Sequence, residues 1–231
     1  MSAYEFSIAF LATFYLLVAL SYSARILGLR ARNQRRLVAW GTRGSANWWH
    51  QTVFSAFRAT ILVVCLVRVP YPETIDRYAG TLTVSAPVIL AGIVLLCLSF
   101  SWIGYVHAYM DRVWQSGVGT STRPPLLTAG PYARSRNPMF IGILSGQIGF
   151  FLAWPSLFTA TCLVVGATVI IRQAGVEEKA LLSAFGSEYE AYRVRVPRWF
   201  RPVSKGGRRP QASPVETGVS SRPPHSVQDP S

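Results

Sequence analysis

The 231-residue chain is short of charge: 14% of its residues are Asp, Glu, Lys or Arg, against about a quarter in an ordinary soluble domain. The deficit is local. Charges leave long stretches entirely and gather between them, as in a chain that partly dissolves in hydrocarbon. Acids are scarcest, with 10 Asp and Glu against 23 Lys and Arg and a net charge of +13. Lysine is confined to Lys179 and Lys205, so arginine carries the basic side; that bias points to a GC-rich bacterial genome. The cysteines Cys65, Cys97 and Cys162 all sit inside apolar runs without ligand spacing. This argues against a disulfide framework and against a metal site, and no metal is expected. No basic segment precedes the first apolar stretch, which is long enough to span, so a cleavable signal peptide is not expected. No internal repeat is visible. Nucleic acid is not an expected partner either, because the arginines flank apolar spans, where membrane topology and anionic headgroups account for them.

What is there is a series of apolar spans. Phe6 to Ala24 is uncharged, and Arg25, Arg30, Arg32, Arg35, Arg36 and Arg43 follow without an acid. Trp40, Trp48 and Trp49 then mark an interfacial belt. A weaker span runs from Gln51 to Val69, with Arg58 either snorkelling to the interface or facing an anionic ligand from within the membrane. A charge-balanced connection through Glu73, Asp76 and Arg77 leads to Thr81–Val106, with Pro87 as a tolerable kink, and a polar loop is predicted from His107 to Asn137. Pro138 to Ile171 carries no charge. A straight helix of that length would run about 50 Å, too long for a core of about 30 Å. Trp154-Pro155-Ser156 breaks it into two arms, and Gly142, Gly146 and Gly149 offer a small-residue edge to a neighbouring helix.

The expected fold is therefore all-α and integral to the membrane, with about five transmembrane helices including a C-terminal helical hairpin, followed by a cytoplasmic C-terminal helix. The arginine bias of the loops puts the N-terminus outside and the C-terminus in the cytoplasm, in what is expected to be a bacterial inner membrane. Three regions follow: N-terminal membrane helices (1–104), a catalytic region holding the hairpin (105–202) and a basic tail (203–231) rich in Pro, Ser and Gly, expected to be disordered.

Two segments carry more information than scaffolding needs. In the first, Leu126 to Gly142, Gly130-Pro131 and Asn137-Pro138 halt regular structure beside Arg134 and Arg136. Backbone groups freed at the membrane surface are tolerable where they line a cavity. In the second, Val176 to Tyr192, the acids Glu177, Glu178, Glu188 and Glu190 gather in a chain that has few. Leu181, Ala184, Phe185 and Tyr189 form one apolar face, Gly186 ends a helix, and Ser187 with Glu190 is expected to cap the next. Glu177 and Glu178 are either a solvated helix start or carboxylates for a hydroxyl or an ammonium.

Together these segments resemble the isoprenylcysteine carboxyl methyltransferase and phospholipid methyltransferase superfamily of integral membrane enzymes. The resemblance rests on Leu127, Thr128, Gly130 and Tyr132; on Arg136-Asn137-Pro138-Met139-Phe140-Ile141-Gly142; on Glu177-Glu178 with Leu181; on Phe185-Gly186, Tyr189 and Tyr192; and on Val196-Pro197. It covers residues 105 to 202. It implies an S-adenosylmethionine pocket formed by Leu126, Leu127, Gly130, Tyr132, Asn137, Pro138, Met139, Phe140 and Glu177, with a lipid-side path for a lipophilic or lipidated acceptor. Arg136, Glu178 and Arg172 are the candidate catalytic side chains, in positioning roles. The expected acceptors are a prenylated thiol or carboxylate, a phospholipid amine or a small thiol; the expected partners are this substrate and membrane lipids.

Two positions depart from the family pattern. Carboxyl-methylating members carry an arginine four residues before the first glutamate; here Gln173 stands there, and Arg172 is turned about 100° from it. The family's histidine before Leu127 is Pro124, with His107 as a substitute. The alternatives are an NADPH-dependent membrane reductase of the sterol-reductase type, for which five spans are too few, and a non-catalytic protein of the same fold.

Overall fold

The computed structural model describes residues 2–31, 43–116 and 125–200, all within one compact unit. Much of the first arginine cluster, Trp40, Pro124 and the basic tail lie outside the described residues. The described residues are all-α: α1 (Ala3–Ala31), α2 (Ala46–Arg68), α3 (Pro72–Ala79), α4 (Ala86–Ser116), α5 (Pro138–Ala153), α6 (Leu157–Phe185) and α7 (Ser187–Arg195). Helices α1, α2, α4 and α6 each contain a segment long and apolar enough to cross a bilayer, and the shorter apolar α5 pairs with α6. The protein is an integral membrane protein.

The hairpin breaks where the sequence indicated. Helix α5 stops at Ala153, and α6 opens with a capping box in which Ser156 Oγ accepts from Thr159 N while Thr159 Oγ1 accepts from Ser156 N. Helix α5, with 16 residues, is about 24 Å long, and α6, with 29, about 43 Å. The C-terminal turns of α6 therefore run past the start of α5 and carry Glu177 and Glu178 with them.

The small-residue edge of α5 meets α4. A Cβ on Gly149 would lie 2.9 Å from Gly92 O and from Leu96 N, and one on Gly92 would collide with Ala153 N. Backbone meets backbone there, and only glycine at both positions allows it. The core beneath is Leu11, Cys65, Ile89, Ile93, Leu96, Phe150 and Trp154.

Three expectations change, and one open reading, that of Arg58, is decided. Pro87 lies in the first turn of α4, where proline needs no hydrogen-bond partner, so it makes no kink. Residues 81–82 instead bond the hairpin tip: Leu82 N donates to Pro155 O at 2.8 Å, and Thr81 bridges Ser156. The polar loop does not begin at His107, because α4 continues to Ser116 and its Asp111 takes a bidentate bond from Arg25 of α1, at 2.8 and 2.9 Å. The Ser187–Glu190 capping box does not form. Gly186, at φ +53°, turns the chain so sharply that Ser187 is already the first helical residue. Arg58 is exposed on α2 and stacks on Tyr22 of α1, 4.0 Å from the ring centre, as a snorkelling side chain would.

One end of the bundle is locked by a buried ion pair. Arg68 Nε and Nη2 donate to the two Asp76 oxygens at 2.8 and 3.0 Å, and the guanidinium lies 4.2 Å from the Trp154 ring centre. Tyr4 Oη and Thr81 Oγ1 complete the Asp76 shell, and Trp154 Nε1 donates to Thr81 Oγ1. This joins α1, α2, α3 and the hairpin tip. Burial pushes the Asp76 carboxyl up, but the Arg68 and Tyr4 hydrogen bonds and the Arg68 charge outweigh it and hold it below the usual range. A depressed folded pKa means stability present above the unfolded value and lost as pH falls through the folded one.

Asp76→Ala would leave Arg68, with a side chain 2% exposed, uncompensated. We expect a loss of about 3–5 kcal/mol, read as a fall in thermal unfolding temperature in detergent. The wild-type lock should weaken only below about pH 4, whereas the variant's stability should be flatter there. An unchanged unfolding temperature would return Arg68 and Asp76 to ordinary surface charges.

Candidate functional site

The opposite end of the bundle holds a cavity of about 520 Å³, within the roughly 300–1,000 Å³ of small-molecule sites. Its walls come from α4 (His107, Met110), the 125–140 segment, α6 (Glu177, Glu178, Leu181, Phe185) and α7 (Tyr192).

The Asn-Pro turn is the hinge of the site. Pro138 occupies the first turn of α5, where its fixed φ suits a helix start, and the residue before a proline is steered away from helical geometry. Asn137 accordingly sits at φ −130°, and its side chain makes no cap bond. Its Nδ2 instead reaches Glu178 Oε1 and Arg198 O, both at 3.3 Å. The returning chain after α7 closes over the turn: Arg136 N donates to Pro197 O, and Ser135 Oγ to Arg198 O, each at 3.0 Å. Trp102 Nε1 of α4 donates to Pro138 O, and Gly142 leaves room for the Trp102 and Ile103 side chains.

Glu178 is the hub. Arg198 Nε and Nη2 donate to its two oxygens at 2.9 and 2.8 Å, and Arg136 Nη1 lies 3.5 Å away. Arg136 Nε and Nη1 have no hydrogen-bond partner among the described residues. Glu177, by contrast, accepts from Gln173 Nε2 at 3.1 Å and pairs with no guanidinium or ammonium among the described residues. The cavity thus carries one neutralised carboxylate and one uncompensated one.

Of the residues singled out in sequence, Leu126, Leu127, Tyr132, Arg136, Asn137, Pro138, Met139, Phe140, Glu177 and Glu178 all line the cavity. Gly130 and Arg172 do not. Gly130 has φ +61°, and the Tyr109 ring occupies the place of its missing Cβ, so it serves the turn Gly130–Ala133 that presents Tyr132. Arg172 is exposed while Gln173 is buried, as one residue of helical rotation requires. Tyr132 Oη donates to Met110 Sδ, and its carbonyl accepts from Tyr192 Oη. Burial, with the Glu177 charge adding to it, pushes the Tyr132 phenol far up, so it stays neutral and acts as a donor. Arg198 is not among the residues singled out in the sequence; its place directly after Val196-Pro197 was the available signal. His50 carried no signal at all.

The geometry is that of a mostly apolar cavity with a few charged groups, at one end of a membrane helix bundle built on a helical hairpin. Residues 81–188 match the family model described as phospholipid methyltransferase. This segment contains every cavity-lining residue except Tyr192. No curated protein and no solved structure matches the chain.

Removing Glu178 leaves Arg136, with a side chain 11% exposed, without its counter-ion. Glu178→Ala should therefore cost about 3 kcal/mol of stability. Arg198→Ala, whose side chain is 42% exposed, should cost less than about 1 kcal/mol. Thermal unfolding of the two purified variants checks the order; equal losses, or the reverse order, would remove Glu178 from the centre of the site.

Proposed function

We propose that this protein is an S-adenosylmethionine-dependent membrane methyltransferase acting on a lipophilic acceptor. The observation that carries the reading is the cavity itself: it lies almost wholly within the family segment and sets an uncompensated carboxylate, Glu177, among apolar walls. S-adenosylmethionine fits that character. Bound there, it supplies a methyl group on a sulfonium centre, open to in-line displacement. Leu126, Leu127, Met139 and Phe140 would hold apolar parts of it, Glu177 a cationic or hydroxyl part, and the free donors of Arg136 its carboxylate.

The chain's own task is alignment and exclusion of water. Glu178, Arg198 and Asn137 fix the turn that carries the wall, and Tyr132 stays a neutral donor. Among acceptors, an amine suits this wall better than a carboxylate. Arg198 is drawn to Glu178, Arg136 is given to the cofactor's carboxylate and Arg172 lies outside the cavity, so no guanidinium is left for an acceptor carboxylate. An ammonium acceptor must shed a proton before its lone pair can attack. The His107 imidazole, on the cavity wall, has a lone pair for it. By the arginine bias of the loops, the cavity opens to the cytoplasm, where the cofactor is made, and the N-terminus lies outside.

S-adenosylhomocysteine should bind the detergent-purified chain saturably and raise its unfolding temperature, and NADPH should do neither. Glu177→Gln should weaken that binding about tenfold or more, as the loss of a charge-assisted contact does. Arg136→Ala should impair transfer as well. Protection by NADPH alone would replace this reading with a reductase.

A further inference from the structure

Residues 1–80 precede the matched segment, yet α2 reaches the cavity wall through two hydrogen bonds in series. His50 Nδ1 lies 2.7 Å from Gln173 Oε1, and Gln173 Nε2 lies 3.1 Å from Glu177 Oε1. Gln173 and Glu177 are four residues apart on α6, so they share one face. Gln173 is 4% exposed, which leaves its amide little freedom.

Charge fixes the direction of the series. A carboxylate only accepts, so the amide turns its NH2 group to Glu177 and its carbonyl to α2. The group facing that carbonyl must donate, which places the His50 proton on Nδ1. The α2 end that presents His50 is itself held: Ser45 Oγ caps the helix by accepting from Trp48 N, and Phe54, one turn beyond His50, packs on the Phe140, Ile170 and Ala174 cluster. With Oε1 engaged by Gln173, Oε2 is the Glu177 oxygen left to face a ligand.

We propose that His50 and Gln173 are positioning residues for Glu177: they hold its carboxylate in one orientation, and α2 thereby completes the site. The proposal rests on the methyltransferase reading above. Neither residue touches the reacting atoms; both act through Glu177.

Calorimetric binding of S-adenosylhomocysteine to the full chain tests it, with His50→Ala, His50→Asn and Gln173→Met each alone and His50→Ala also combined with Glu177→Gln. His50→Ala and Gln173→Met should weaken binding about tenfold. His50→Asn retains a donor where Nδ1–H stood and should recover most of the affinity. In the Glu177→Gln background, His50→Ala should cost far less than it does alone, because its route to the ligand is already broken. A residue that merely packs α2 against α6 would give additive losses and no rescue by asparagine, and that result overturns the role while leaving the function intact. If His50→Ala does not fold, full wild-type affinity in a folded Gln173→Met overturns the role, and weakened affinity in it supports the role. Absence of binding by the wild-type chain overturns the methyltransferase reading, and this role with it.

Discussion

The cavity depends on a charge balance made at Glu178. A guanidinium next to hydrocarbon is costly unless it is paired, and two of them converge here. The Glu178 carboxylate draws in Arg136 from the Asn-Pro turn and Arg198 from the chain beyond α7, and accepts from Asn137 as well. Two segments distant in sequence are thereby tied to the protruding end of α6. The same pairing leaves its neighbour Glu177 without a cation, and that asymmetry between adjacent carboxylates gives the cavity its chemical character.

The two ends of the bundle solve one problem in different ways. At the Arg68–Asp76 end both carboxylate oxygens are taken, by Arg68, Tyr4 and Thr81, and with Trp154 this cluster knits the hairpin tip to three other helices. Arg68 Nη1 has no hydrogen-bond partner among the described residues. At the cavity end the charges stop short of closure, with unused donors on Arg136 and an unpaired Glu177. The end that leaves a carboxylate without a cation is the end that holds the cavity. Between the ends, the glycine contact of α4 with α5 sets how closely the helices carrying the cavity approach.

Much of this was legible in the sequence because the membrane imposes coarse, one-dimensional signals. Span lengths, the Trp-Pro-Ser break and the glycine edge of α5 follow from hydropathy and residue size alone. The cavity lining was legible for a different reason: Leu126 to Phe140 and Glu177-Glu178 sit in compact motifs, and local order carries them to the same place. What was illegible is what depends on long-range pairing. Arg25 looked like a topology charge until α4, extended past His107, brought Asp111 to it. Arg172 and Gln173 are adjacent, and only the helix's rotation about its neighbours decides which one faces inward. His50 belongs to a span that shows nothing but hydropathy, and its partner is on another helix.

The most direct measurement is transfer itself. The protein, reconstituted in vesicles containing an amine phospholipid, is incubated with methyl-labelled S-adenosylmethionine, and the lipid is extracted. Label in the amine headgroup, lost with Glu177→Gln, is the expected result. No label in any lipid fraction from a folded protein, across amine, thiol and carboxylate acceptors, would contradict the methyltransferase reading.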